Sequence, residues 1–205
     1  MFSGHQAPKN GGKYNGVCWT VVYRAEPGSS IEAAALRLEP GARLVACGTL
    51  RDVFSRVESS DADAGVVPVE NSLTGSSGET YDLLLTHDLT VTGEVVLSTG
   101  DHPPVQPARE DFTRYYRIER APRPPGRLNR SVFVVSLPHE PGSLFMALSS
   151  FACRGISLTK IESRPVRRDP MQYLFYLEFE GHVSDWNVKA ALDELKCKTT
   201  MLRVL

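Results

Sequence analysis

The residues best suited to chemistry fall in two short runs. The first is Gly65-Val-Val-Pro-Val-Glu-Asn-Ser-Leu-Thr-Gly-Ser76, where an apolar, strand-like stretch leads straight into Glu70, Asn71 and Ser72 and then into a loop holding Gly75. Polar side chains at the carboxyl end of a parallel strand lie where α/β sheets bind ligands. The loop offers free backbone N–H groups, and a helix start just beyond it favours anions. The same Ser, Thr and Asn also build a capped strand-to-helix turn that holds no ligand, and the spacing leaves both readings open. The second run is Ile161-Glu-Ser-Arg-Pro165, read as the end of a strand. Its Glu162 and Arg164 also read as a surface ion pair, which is worth little.

Other reactive side chains are dispersed. Cys18, Cys47, Cys153 and Cys197 form no CxxC pair and sit among apolar residues, as small buried hydrophobes in a reducing compartment do. His5, His87, His102, His139 and His182 make no HExxH or His/Cys cluster, which argues against a metal centre. The 23 Lys+Arg nearly cancel 24 Asp+Glu, for a net charge of -1, so the footprint of a general nucleic-acid binder is missing. Arg117, Arg120, Arg123, Arg127 and Arg130 lie near a proline-rich stretch without interleaved aromatics. They fit a solvated linker better than an anion-binding strip. The longest apolar run, Val17 to Tyr23, is strand-sized, whereas a bilayer-spanning helix needs roughly 20 apolar residues.

The elements that must position these residues follow from hydrophobic patterning. The 205 residues, 41% of them hydrophobic, suffice for one large domain or two small ones. Met1 to Gly16 is polar and glycine-rich and reads as a disordered leader. From there Val17–Arg24, Arg43–Cys47, Ala64–Val69 and Leu89–Leu97 read as strands. Ile31–Glu39, a Thr49-capped segment ending at Glu58, and Tyr81–Thr86 read as helices. This alternation argues for an α/β domain with a largely parallel sheet. The rhythm breaks at Ser98–Glu110, rich in proline, and resumes with a strand at Phe112–Glu119. Residues 120–130 are a Pro/Arg linker. Strand Ser131–Leu137, a helix after Pro141-Gly142, strands Ile156–Ile161 and Tyr173–Phe179, a helix capped by Ser184 or Asp185, and strand Thr200–Leu205 follow. That order is βαββαβ, the ferredoxin-like split arrangement.

On these residues the chain resembles the prephenate and arogenate dehydratases of the plant and algal type, with their C-terminal ACT domain. The resemblance is carried by Pro27-Gly28 leading into Glu32-Ala-Ala34, Gly65 to Ser72, Tyr81-Asp-Leu-Leu-Leu85, Gly93-Glu-Val95 and Thr113-Arg-Tyr115. Pro141-Gly-Ser-Leu-Phe145 and Ser157 to Pro165 extend it through the second half. It implies a dehydratase domain at 17–119 and an ACT domain at 131–205. The substrate would be prephenate or arogenate, with L-phenylalanine as effector and no cofactor. Residue by residue, it makes Thr113 and Arg114 catalytic, with Thr113 the weak general acid and Arg114 meeting a substrate carboxylate. Glu70, Asn71, Ser72 and Gly75 would bind substrate. Gly142, Ser143 and Leu144 would bind phenylalanine together with Glu162, Ser163 and Arg164 from a neighbouring chain. A homodimer or tetramer through the ACT domains is implied, with neither nucleic acid nor membrane as partner. The compartment would be the plastid stroma in a photosynthetic eukaryote and the cytoplasm otherwise.

The chain also departs from the family pattern. Family catalytic domains have two lobes closing over the substrate, as in periplasmic-binding-protein-like folds. Here the stretch between Leu97 and Thr113 is too short for a lobe, which needs on the order of 50 residues. The expected fold is therefore an incomplete lobe, with a cleft walled on one side. Ile31 replaces a hydroxyl residue, Tyr115 replaces phenylalanine, and Asp111 replaces asparagine ahead of the threonine. Two functions remain open: a dehydratase of phenylalanine biosynthesis, or a catalytically impaired chain that binds phenylalanine or partners an intact dehydratase.

Overall fold

The computed structural model describes residues 13–14, 17–25, 29–98, 111–124, 129–166 and 169–205. The expected leader, the Pro27-Gly28 turn, the proline-rich stretch from 99 to 110 and the heart of the linker fall largely outside them. The chain divides into two compact units, Met1–Pro122 and Arg123–Leu205.

In the first unit, β1 (Lys13–Tyr14) and β2 (Val17–Cys18) pair with each other. The main sheet contains β3 (Thr20–Arg24), β4 (Arg43–Cys47), β5 (Ala64–Asn71), β6 (Gly75–Ser76), β7 (Thr90–Ser98) and β8 (Phe112–Glu119), in the order β4-β3-β5-β8-β7 with β6 on the end of β5. Trp19 thus interrupts the single strand expected at its start. Helix α1 (Ser30–Leu38) covers one face, where Ile31, Ala34 and Ala35 pack on Val21, Tyr23, Val66 and Tyr115. Helix α2 (Leu50–Glu58) covers the other. Its start is fixed by a capping box: Thr49 Oγ1 accepts from Asp52 N–H, and Asp52 Oδ2 accepts from Thr49 N–H, both at 3.1 Å. Helix α3 (Gly78–Thr86) lies beside α2, where Glu58 accepts from His87 Nδ1 and Asp88 N–H, each at 2.8 Å.

The sheet is mixed rather than largely parallel. β3 runs parallel to β4 and β5, but β8 is antiparallel to both β5 and β7. Parallel neighbours need a long crossover, usually helical. Only residues 99–111 join β7 to β8, whose ends pair at Ser98 and Phe112, and a direct return of that kind is antiparallel.

Arg117 and Arg120 are part of this unit, not of a solvated linker. Arg117 is buried and donates to Thr92 Oγ1 at 3.0 Å and to the Thr92 carbonyl at 2.7 Å, and it pairs with Glu39 and Glu119. Arg120 donates to the carbonyls of Val57 and Ala62.

The second unit comprises β9 (Arg130–Ser136), α4 (Ser143–Ala152), β10 (Leu158–Val166), β11 (Asp169–Glu180), α5 (Trp186–Lys196) and β12 (Met201–Val204). Its antiparallel sheet has the order β10-β11-β9-β12. That is the split βαββαβ order the sequence suggests. Both helices bury their apolar stripes on the same sheet face, around stacked or tilted rings of Phe133, Phe151 and Phe179 with centroids 5.3 to 5.6 Å apart. Segment 161–165 lies inside β10 rather than at its end, and Pro165 is tolerated because β10 is an edge strand. Among the described residues no helix is long and apolar enough to cross a membrane.

Candidate functional site

β5 outruns its parallel partner: β3 accompanies it only to Val66, while β8 follows it to Asn71. Its register with β8 shifts between Pro68 and Glu70, so Val69 is an extra residue and the strand carries a β-bulge. A one-residue insertion exchanges the faces of everything beyond it. As a result Asn71 stands opposite Thr113, and Glu70 opposite Arg114. Directly opposed residues share a face, so Thr113 and Asn71 join the face of Tyr115, while Glu70 and Arg114 join that of Ile118.

Asn71 is the centre of a hydrogen-bond network. Its Oδ1 accepts from the backbone N–H groups of Leu73 and Thr74, each at 2.9 Å. Its Nδ2 donates to Asp111 Oδ1 at 2.8 Å, to Thr113 Oγ1 at 3.0 Å and to the Phe112 carbonyl at 3.3 Å. Ser72 Oγ donates to the same Asp111 oxygen at 2.8 Å and accepts from Phe112 N–H at 3.1 Å. The ligand-free turn and the polar site are therefore one object here, because Asn71 closes the turn with its oxygen and reaches β8 with its nitrogen. Asn71 and Ser72, expected to donate to a substrate, donate to Asp111.

A cavity of about 260 Å³ opens beside this network, lined by Glu70, Asn71, Thr74, Gly75, Ser77 and Thr113 among others. Gly75 turns the chain with a φ of +79°, a conformation that favours glycine. α3 starts at the cavity wall, with Ser77 as its N-cap, so the positive end of the helix lies by the opening. Thr113 is only 8% exposed. Arg114, expected to meet a substrate carboxylate, is also 8% exposed and is held by the protein's own acids. It lies 3.4 Å from Glu70 and 3.7 Å from Glu94, with its guanidinium 5.3 Å from the Tyr116 ring centre. On the α1 side, Ile31 is buried in the core and Tyr115 OH shares a 2.9 Å hydrogen bond with Ser30. Burial, and then the Glu32 carboxylate, raise the Tyr23 hydroxyl above its ordinary pKa.

The sequence pointed to most of this set but gave Asp111 no constructive role. The signal was present, because Asp111 precedes Thr113 by two residues and so lies on the same side of an extended chain. Glu94 was missed because the β7–β8 pairing creates its contact with Arg114, whereas Tyr116, two residues beyond Arg114 on the same strand and face, could have been found from the period of an extended chain.

In the second unit, Gly142 takes a φ of +85° at the N-cap of α4. Ser143 and Leu144 help line a cavity of about 130 Å³ with Leu137, Glu140, Tyr173 and Phe175. Ser163 pairs with Phe175 and shares its face, whereas Glu162 pairs with Tyr176 and Arg164 with Leu174, on the opposite face. Within one chain, then, Glu162 and Arg164 are not brought to the Gly142–Leu144 turn. Among the described residues no group of three or more His, Cys, Asp or Glu is placed to hold a metal ion.

Comparison with known proteins bears on both units. A family model described as prephenate dehydratase matches residues 21–102. The chain is 30% identical, over 277 residues, to the chloroplastic arogenate dehydratase/prephenate dehydratase 2 of Arabidopsis thaliana, an alignment covering 93% of this chain and 73% of that one. Among solved structures, the prephenate dehydratase of Streptococcus mutans is 32% identical with a TM-score of 0.75, covering 91% of this chain and 95% of that one. GqqA, described as a novel type of quorum quenching acylase, has a TM-score of 0.79 at 25% identity, with coverages of 91% and 92%. The prephenate dehydratase of Arthrobacter aurescens in complex with L-Phe shares the fold, with a TM-score of 0.76 at 24% identity and coverages of 91% and 88%.

Proposed function

We propose a function from the premise that the chain belongs to the prephenate dehydratase family. The reaction is the decarboxylating dehydration of prephenate to phenylpyruvate, or of arogenate to phenylalanine. The bond from the ring to its carboxylate breaks, CO2 leaves, and its electron pair enters the ring and expels the ring hydroxyl. Thr113 donates its hydroxyl proton to that departing oxygen, which leaves as water, and solvent returns the proton to Thr113. One observation carries the reading: Thr113, buried in the sheet, lines the 260 Å³ cavity. The start of α3 and the Gly75 turn favour a substrate carboxylate at its mouth, Asn71 and Glu70 line the same opening, and Ser72 supports it through its hydrogen bond to Asp111. Arg114 contributes through Glu70, which it holds in place. Thr113→Ala is expected to lower kcat by about a hundredfold or more, with Thr113→Ser retaining most turnover. Equal rates for Thr113→Ala and the wild type, with prephenate and with arogenate, would refute the reading.

A second reading is favoured by the connection between β7 and β8. Only residues 99–111 are available there, where the family has a second lobe. The Arabidopsis alignment runs over 277 residues although this chain has 205, which supports an internal omission. A cleft with one wall excludes water poorly, so this reading expects weak turnover from the isolated chain and a role as a regulatory partner. An acylase reading, prompted by GqqA, has less support: among the described residues the cavity lining contains no histidine, and the one carboxylate among them, Glu70, is paired with Arg114.

The second unit is read as an ACT domain sensing phenylalanine. The free amino acid would occupy the 130 Å³ cavity at Gly142, Ser143 and Leu144, with Glu162, Ser163 and Arg164 supplied by a second copy across paired β10 edges in a dimer or tetramer. The chloroplastic relative supports a plastid location for a photosynthetic source, with the cytoplasm the alternative.

A further inference from the structure

The direction of each hydrogen bond around Asn71 can be deduced from chemistry alone. Backbone N–H groups only donate, so the Asn71 atom met by Leu73 and Thr74 N–H, each at 2.9 Å, must be its oxygen. The amide nitrogen then necessarily faces β8, where Asp111 Oδ1 and Thr113 Oγ1 lie at 2.8 and 3.0 Å. An amide nitrogen has two protons and no lone pair to offer. Asp111, a carboxylate, takes one; the other falls between Thr113 Oγ1 at 3.0 Å and the more distant Phe112 carbonyl at 3.3 Å, and toward this nitrogen Thr113 Oγ1 can only accept. The Thr113 hydroxyl proton therefore cannot point at Asn71. Among the described residues Thr113 Oγ1 makes no other hydrogen bond, and Thr113 is one of the residues that line the cavity.

We infer that Asn71 is a positioning residue: pinned by two backbone amides and by Asp111, it makes Thr113 a one-way donor into the cavity. This rests on the dehydratase reading for its purpose, although the hydrogen-bond direction itself does not. It also assigns Asp111 a part. Its carboxylate is the anchor that keeps the amide plane turned toward Thr113, rather than an unwelcome charge beside an anionic substrate. Donation from Asn71 also makes the Thr113 hydroxyl a better donor, because hydrogen bonds in a chain polarise one another.

The test inverts the direction while preserving the pair. Asn71→Asp alone would set two carboxylates together and could simply unfold the site. The exchange Asn71→Asp with Asp111→Asn keeps one carboxylate and one amide in contact, yet now presents only an acceptor to Thr113, whose proton turns away from the cavity. We expect a melting temperature close to wild type, kcat lowered by about a hundredfold, and KM changed little. A raised KM with kcat intact would overturn the inference, because Asn71 would then be a substrate contact. A readout independent of turnover is the side-chain NH2 signal pair of Asn71 in an NMR spectrum, identified by its loss in the exchange variant. Thr113→Val should accelerate solvent exchange of one Asn71 amide proton and Asp111→Ala that of the other. If Thr113→Val alters neither, the direction is wrong whatever the kinetics. If both shift as expected but the wild type turns over neither prephenate nor arogenate, the hydrogen-bond direction stands and the dehydratase reading falls.

Discussion

Asn71 and Thr113 meet because Val69 is one residue too many. Its bulge sets the β5–β8 register, and the contacts of Asn71 with Thr113 and of Glu70 with Arg114 follow from that insertion. A comparable single-residue constraint holds on β7. A Cβ at Gly93 would come within 3.0 to 3.4 Å of the Arg117 guanidinium, which cannot retreat because Thr92, Glu39 and Glu119 hold it. Gly93→Ala is therefore expected to destabilise the first unit by roughly 1–3 kcal/mol, read as a lower urea midpoint. An unchanged midpoint would mean that the guanidinium is free to move.

Among the elements, those with local signals were legible from sequence. α2 follows its capping box, and its buried Leu50, Val53, Phe54 and Val57 recur at helical spacing. β8 spans the residues expected of it, Phe112 to Glu119, although it is buried on both faces and shows no simple alternation. β10 was not, since an edge strand has one partner and weak patterning, so Glu162 to Pro165 looked like a strand end. The contact between α4 and α5 also leaves little trace in sequence. There Glu194 accepts from Arg154 at 2.6 Å, from Ser150 at 3.2 Å and from Lys198. Lys198 and then Arg154 hold its carboxyl at about 2, below the ordinary 4.5. A lowered folded-state pKa stabilises the fold above the ordinary value, and that contribution fades as pH falls from 4.5 toward 2. Across that window wild-type stability should drop more steeply than that of Glu194→Gln, measured by denaturant unfolding at a series of pH values. Parallel profiles would rule out the linkage. High salt should shrink the difference, because the group is solvent-facing.

For the molecule as a whole, two units with separate cores suit a division between a reacting site and a sensing site. If the second unit senses phenylalanine, titration of the full chain should release saturable heat, and Gly142→Val should weaken binding because valine strongly disfavours a φ of +85°. Absence of heat at millimolar ligand would refute the sensor. Phenylalanine can regulate turnover only by binding one state of the assembly more tightly than another. A change in sedimentation on adding the amino acid would accompany such a shift.

By itself the sequence determined the alternation of elements, the two-unit division and the short list of polar residues at the end of β5, because capping, periodicity and turn chemistry act over a few neighbouring positions. Only the tertiary structure decided that the sheet is mixed, that Arg114 is engaged by Glu70 and Glu94, and that Asp111, Asn71 and Thr113 form one chain of hydrogen bonds. The Glu94 contact depends on β7 pairing with β8, and the others on the register between residues more than forty positions apart in β5 and β8, where a bulge that shifts register by one residue has no local signature.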